Sequence, residues 1–250
     1  MRNNAVAYMR VGQRLLAATR ALLRRTGVDL VRYPWLPPNH VSNYLRLFAI
    51  DTVLDVGANK GQYALALRRA GYNGRIISFE PGREAFQILQ QVATKDPQWR
   101  CYQLALGAQI GLRTLQIAAA SEYSSFLPIT ETAVRADSFA QMHSEEEVEV
   151  VTLDSLWHDH VGLQSRVLLK LDTQGFEREV LRGATESLGQ IAGVQLELSV
   201  SAIYVGQPTI EEMLPLLRAH GFQLFALYEG FRENDTGRLI ELDGLFFRSF

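Results

Sequence analysis

Short apolar runs alternate with amphipathic stretches through most of this chain. Thr52–Val56, Arg75–Phe79 and Arg100–Leu104 read as strands, and Gln62–Ala70 and Arg83–Ala93 as the helices between them. Arg113–Ile117 predicts an additional strand and Val148–Thr152 another. Val167–Leu171 is apolar except for Lys170, and Asp172 follows it, which predicts a buried strand with a polar edge. Glu177–Arg182 suits a helix, Val194–Leu198 a strand, and Ile210–His220 a helix stopped by Gly221. Phe222–Leu227 and Leu245–Phe250 supply the last two strands. This alternation predicts an α/β fold with a mainly parallel, doubly wound sheet and helices on both faces.

Some segments stand outside the alternation. Leu15, Leu16, Leu22 and Leu23, with arginines between them, predict a basic amphipathic helix over residues 5–25. It reads as an appended helix with a solvated arginine face, as a surface for anionic lipid, or as one for an acidic partner. Tyr33-Pro34-Trp35-Leu36-Pro37-Pro38 breaks a helix and predicts a linker. Residues 1–45 are therefore expected to be a helical extension with its linker, and residues 46–250 one catalytic-type domain. Residues 119–147 lack a clear period and carry Ser121, Ser124, Ser125 and the acidic run Glu145–Glu147. They read as a flap over a site or as a plain surface insertion.

Composition narrows the class. A chain of 250 residues, 47% hydrophobic and 21% charged, excludes intrinsic disorder and fits one large domain with an appendage. Cys101 is the single cysteine, which excludes a disulfide framework and a CxxC metal knuckle and fits a cytoplasmic setting. The net charge of −2 gives no polycation for nucleic acid. It is unevenly spread: seven arginines against Asp29 give residues 1–34 a net +6. No run of about eighteen uncharged apolar residues predicts a membrane span. Arginines break up the early apolar runs, against a secretory signal; the arginine-rich start matches a mitochondrial presequence except that it lacks serine. The expectation is a cytoplasmic protein with peripheral membrane contact through its basic N-terminus, its oligomeric state open.

The segment Val53-Leu54-Asp55-Val56-Gly57-Ala58-Asn59-Lys60-Gly61-Gln62-Tyr63 carries the chemistry. A strand ends in an acid, and two glycines four residues apart open a helix, where the backbone can turn tightly and approach a ligand. Glu80 follows at the end of the second strand, where a carboxylate can accept both hydroxyls of a ribose. A dinucleotide site wants Gly-x-Gly-x-x-Gly, yet Asn59 takes the middle glycine position and Asp55 would repel a diphosphate. The same carboxylate suits a ligand bearing an amino group and a sulfonium, so S-adenosylmethionine is favoured over a nicotinamide cofactor. A non-catalytic nucleoside-binding or scaffold protein and a nicotinamide oxidoreductase are the alternatives.

Several blocks resemble one family. Asp55-Val-Gly-Ala-Asn-Lys-Gly61, Phe79-Glu80-Pro81, Leu104-Ala105-Leu106-Gly107, Val151-Thr152-Leu153-Asp154 and Leu169-Lys-Leu-Asp172-Thr-Gln-Gly175-Phe-Glu177 are similar to the FkbM family of O-methyltransferases. Gln195-Leu-Glu197-Leu-Ser199 and Leu242-Asp-Gly-Leu-Phe246 extend the likeness over residues 50–250. The resemblance implies a Rossmann-like class I methyltransferase fold. It also implies a donor site of Asp55, Gly57, Asn59, Gly61, Tyr63, Glu80, Ala105 and Leu106, and a hydroxyl acceptor on a sugar, glycolipid or polyketide. An alcohol benefits from a positioned base or a divalent metal. Asp172 and Glu197, ending two successive strands, are the expected bases or Mg²⁺ ligands.

Other polar residues read as structural. His158-Asp159-His160 suits a surface turn, since i and i+2 do not share a helical face. His220 suits a helix C-terminus and Asp154 an N-cap. Glu145–Glu147 suits a solvated charge run and Cys101 a buried small hydrophobe. His143 lies within the insertion, within reach of a substrate if that segment is a flap.

Overall fold

The computed structural model describes residues 19–20, 22–23, 25–26, 37–161, 165–233 and 236–248. The predicted basic helix falls largely outside them; Thr19-Arg20 and Leu22-Leu23 are helical. The chain divides into two units, Met1–Val41 and Ser42–Phe250. Pro37-Pro38, expected in a linker, instead open helix α1 (Pro37–Leu47), because a fixed φ and a missing N–H cost nothing in a first helical turn. Within the larger unit, Tyr44 and Phe48 stack on Phe247, with ring centroids 5.9 and 3.8 Å away.

The larger unit alternates as the pattern predicts. In order come β1 (Thr52–Val56), α2 (Gln62–Arg69), β2 (Arg75–Phe79), α3 (Arg83–Ala93), β3 (Trp99–Tyr102), β4 (Ala105–Leu106) and β5 (Gly111–Ala118). Then follow α4 (Glu131–Ala136), β6 (Met142–Val151), α5 (Leu153–Leu156), β7 (Val167–Leu171), α6 (Glu177–Arg182), β8 (Ile191–Ser199), α7 (Ile210–Ala219), β9 (Phe222–Glu229) and β10 (Glu241–Arg248). Seven strands form one sheet in the order β3-β2-β1-β7-β8-β10-β9. β10 runs antiparallel to both its neighbours, and the other pairings are parallel. This is the doubly wound, Rossmann-like arrangement.

Burial on both faces explains why the central strands read as unbroken apolar runs. Val53, Leu54, Leu168 and Leu169 are fully buried, each contributing roughly 1.5–3 kcal/mol of transfer free energy. Leu54, Phe79, Leu106, Leu169, Leu196 and Phe246 share one core cluster. β4, β6 and β5 form a second, three-stranded sheet. There the acidic run Glu145–Glu147 is strand, paired antiparallel with Thr114–Gln116, and Arg83 pairs with Glu146 at 3.4 Å. Asp154 is not a cap of its own helix. Thr152 caps α5, while Asp154 accepts from the Ser187 amide (2.8 Å) and hydroxyl (2.7 Å).

Candidate functional site

Between β1 and β7 the chain leaves adjacent parallel strands toward opposite sides of the sheet, opening a crevice at their carboxyl ends. Gly57, just after β1, sits at φ +73°, and a Cβ there would lie 1.8 Å from the Asp172 carbonyl oxygen. The neighbouring strand, not a ligand, is what demands this glycine. Gly61 has the same logic: at φ +87° its Cβ would meet the Trp99 ring at 2.8 Å. Asn59 holds a left-handed φ of +47° between them.

A cavity of about 270 Å³ fills the crevice. Of the expected donor residues, Gly57, Asn59, Tyr63, Glu80, Ala105 and Leu106 line it, whereas Asp55 and Gly61 do not. Asp172 lines it and Glu197 does not.

Glu80 is buried at the end of β2. Its Oε2 accepts from the Asn59 amide and its Oε1 from the Gly82 amide, both at 2.8 Å. Burial pushes its carboxyl up to about 7, outweighing those two amides. A carboxylate has about four acceptor sites, so Glu80 keeps acceptor capacity beyond the Asn59 and Gly82 amides.

Asp55 lies below the crevice in a polar row. Ser78, Asp55, Lys170 and Gln195 are in register across β2, β1, β7 and β8. Asp55 pairs with Lys170 at 3.1 Å and accepts from Ser78 at 3.2 Å, and Trp99 Nε1 donates to Ser78. The Asp55 carboxylate therefore faces Lys170 and Ser78 inside the sheet and does not line the cavity. Lys170 also reaches the Gly57 carbonyl (3.3 Å) and Asp172 Oδ2 (3.4 Å). Burial opposes its charge, but Asp55 and Asp172 outweigh burial and hold the ammonium above its ordinary range. The Tyr63 hydroxyl donates to Gln195 at 2.7 Å, and burial keeps that phenol protonated.

The acceptor side gathers acids. Asp172 keeps 42% of its side chain exposed. Gln174 Nε2 bridges it to Glu197, 2.8 Å from Asp172 Oδ1 and 3.3 Å from Glu197 Oε2. Burial, then Asp172 and Glu241, push the Glu197 carboxyl well up; burial pushes Glu241, to which it hydrogen-bonds, to about 7. Of the expected pair, Asp172 lines the cavity and Glu197 does not. Among the described residues no group of three or more His, Cys, Asp or Glu is arranged for a metal ion. An amide also occupies the space between the two proposed Mg²⁺ ligands, so their geometry does not support that role.

The 119–147 insertion supplies one wall through Ser121, Glu122, Ser124, Ser125 and Phe126. The Ser121 hydroxyl donates to Asn59 Oδ1 (3.0 Å) and the Ser125 hydroxyl to the Gln174 carbonyl (2.6 Å). His143 is exposed on β6 and lines nothing here. Sequence reasoning missed Lys170, Gln174, Phe126, Phe176 and Asp243. A lysine inside the run Val167–Leu171 was the one available signal, since an apolar strand admits a charge only against a partner.

Residues 55–224 match the methyltransferase FkbM domain. The 2-O-methyltransferase NoeI of Sinorhizobium fredii (strain NBRC 101917 / NGR234) is 25% identical over 191 residues, covering 74% of this chain and 77% of NoeI. Among solved structures, an FkbM methyltransferase from Methylobacillus flagellatus KT is similar at 15% identity and TM-score 0.46, covering 78% of this chain and 43% of that one. The magnesium protoporphyrin IX methyltransferase ChlM of Synechocystis PCC 6803, solved with bound SAM, is similar at 10% identity and TM-score 0.44, covering 85% and 79%. The domain match spans more than half of the chain and takes in the crevice from Asp55 through Asp172 and Glu197, and on that ground the chain belongs to the FkbM family of methyltransferases.

Proposed function

We propose that the chain is an S-adenosylmethionine-dependent O-methyltransferase acting on a hydroxyl of a sugar, glycolipid or polyketide acceptor. One observation carries the reading. A buried carboxylate fixed by two amides, Glu80, and a half-exposed one, Asp172, line the same crevice. S-adenosylmethionine, when bound, supplies a methyl group on a sulfonium. Glu80 accepts the ribose hydroxyls, and Ala105, Leu106, Phe126 and Phe176 offer an apolar wall for a base. Asp172 accepts the proton as the acceptor O–H breaks, and Lys170 and Gln174 hold its two oxygens in place meanwhile. Most of the rate comes from alignment and proximity, with the base adding roughly 10²–10⁴-fold. The name of NoeI, a 2-O-methyltransferase, favours an oxygen as the atom methylated. A lipid-linked acceptor would also use the +6 charge of residues 1–34 on an anionic surface.

The test is methyl transfer from labelled S-adenosylmethionine to a panel of sugars, glycolipids and polyketides, with product mapping by NMR. Label on an oxygen of any panel member supports the reading. Label confined to nitrogen or carbon, or failure of calorimetry to detect donor binding, overturns it.

A further inference from the structure

The segment between β7 and α6 is unusual in where it places a glutamine. Gln174 adopts a left-handed φ of +54°, and Gly175 follows at +90°. For a non-glycine residue this conformation costs about 1 kcal/mol, so the surroundings must hold it. Four contacts do. The backbone carbonyl accepts from Ser125 at 2.6 Å, and Nε2 donates to Asp172 and Glu197. Oε1 accepts from the Tyr204 hydroxyl at 2.8 Å. That hydroxyl also has the Tyr123 carbonyl at 3.1 Å. Tyr204 is itself fully buried, and Gln207 fixes its backbone amide and that of Ile203.

An amide side chain has one donor end and one acceptor end. The Tyr204 hydroxyl, by donating to Oε1, decides which end faces the carboxylates. The donor end then points at Asp172, whose other oxygen belongs to Lys170. We propose that Gln174 is a positioning residue for methyl transfer, oriented by Tyr204, that fixes the Asp172 carboxylate toward the acceptor hydroxyl. The inference rests on the reading of Asp172 as the base. Asp172 is faced by Lys170 on β7, Glu177 on α6, Glu197 on β8, and Glu241 and Asp243 on β10. Without a donor at Gln174, four acidic side chains face it against one cation.

The experiment is a double-mutant cycle on the full chain: Gln174→Met, Tyr204→Phe and both together, with Asp172→Asn as control. Gln174→Met keeps the length and removes the amide; Tyr204→Phe keeps the ring and removes the hydroxyl. Gln174→Met should lower kcat roughly 10²-fold, as a misplaced reacting group does, with donor Kd unchanged. The acid limb of kcat, read at saturating donor and acceptor so that Glu80 is already engaged, should move to higher pH, because an N–H donor to a carboxylate favours its charged form. Tyr204→Phe should shift both in the same direction by less. It should add nothing to the kcat loss of Gln174→Met, because the hydroxyl reaches Asp172 through the amide, while its contact with the Tyr123 carbonyl reads out in Tm. Additive losses, or an unmoved pH limb, would overturn the positioning role even while Asp172→Asn is inactive. Near-wild-type turnover in Asp172→Asn would overturn the base itself, which is a separate result. A fold defect shows as a lowered Tm and altered donor Kd, and a Gln174→Met protein with both intact but wild-type kcat also overturns the inference.

Discussion

Lowering the pH from 8 to 6 should weaken donor binding about ten-fold, with Glu80 as the cause. In the free protein its carboxyl titrates at about 7, because burial costs the charged form more than the Asn59 and Gly82 amides return. Only the carboxylate can accept both ribose hydroxyls. With that pKa the ionised fraction is roughly nine-tenths at pH 8 and one-tenth at pH 6, a ratio worth about 1.4 kcal/mol. The stability of the donor-free protein moves the opposite way. A carboxyl raised from 4.5 to about 7 contributes stability that is present below its unfolded pKa and is lost as pH rises through 7. The loss is on the order of 3 kcal/mol from this group, and Glu241, also near 7, adds to it in the same direction. Calorimetry with S-adenosylhomocysteine at pH 6, 7 and 8, in two buffers of different ionisation enthalpy, reads both the Kd and the protons released. At pH 7 about half a proton should leave per ligand bound. A flat Kd across the range, or a Glu80→Ala protein that binds as tightly as the wild type, would refute the argument.

Gly57→Ala should cost roughly 2–4 kcal/mol of stability by overpacking, since its Cβ would lie 1.8 Å from the Asp172 carbonyl; an unchanged thermal midpoint would contradict that contact. Lys170→Met should leave the buried Asp55 carboxyl without its ion partner and cost about 3–5 kcal/mol, read by urea unfolding at pH 7; Asp55→Asn should cost less because Lys170 keeps Asp172 at 3.4 Å. Turnover should be insensitive to EDTA, because Gln174 Nε2 sits between Asp172 and Glu197; restoration by Mg²⁺ after chelation would count against this. Pelleting of the full chain with anionic vesicles should fall steeply between low and high salt, since exposed charges are screened beyond about 10 Å at 0.1 M; equal pelleting would exclude an electrostatic mode for the basic N-terminus.

Legibility of the chain followed burial. β1, β2, β7, α3 and α6 begin and end where the apolar pattern puts them, because strands covered on both faces and helices with one apolar stripe leave an unambiguous imprint. β6 hid its first half, since an exposed hairpin strand such as His143–Glu147 is allowed to be acidic. β10 begins at Glu241, earlier than predicted, because Glu241 and Asp243 serve the acid cluster rather than the core. In the site, Glu80 and the Gly57–Gly61 loop are local in sequence and could be read. The partner of Asp55 and the closure of the insertion could not: Lys170 pairs with Asp55 across 115 positions, and the insertion closes on Gln174 through Ser125. Such contacts depend on register and on side-chain direction, which a single sequence does not record.

The tight seam between Gly57 and Asp172 has a consequence for engineering. Residues that would hold the donor end by position 106, apart from Phe176 and the wall supplied by the insertion, while the proposed base and its supporting acids all lie from Lys170 onward. The two halves meet across the β1–β7 pairing, where backbone approaches backbone with no room for a Cβ. A chimera that joins this chain's first half to the second half of another family member should therefore fold when that seam is kept intact. It would then exchange the acceptor chosen without retuning the donor, with the loop between them as the natural crossover point.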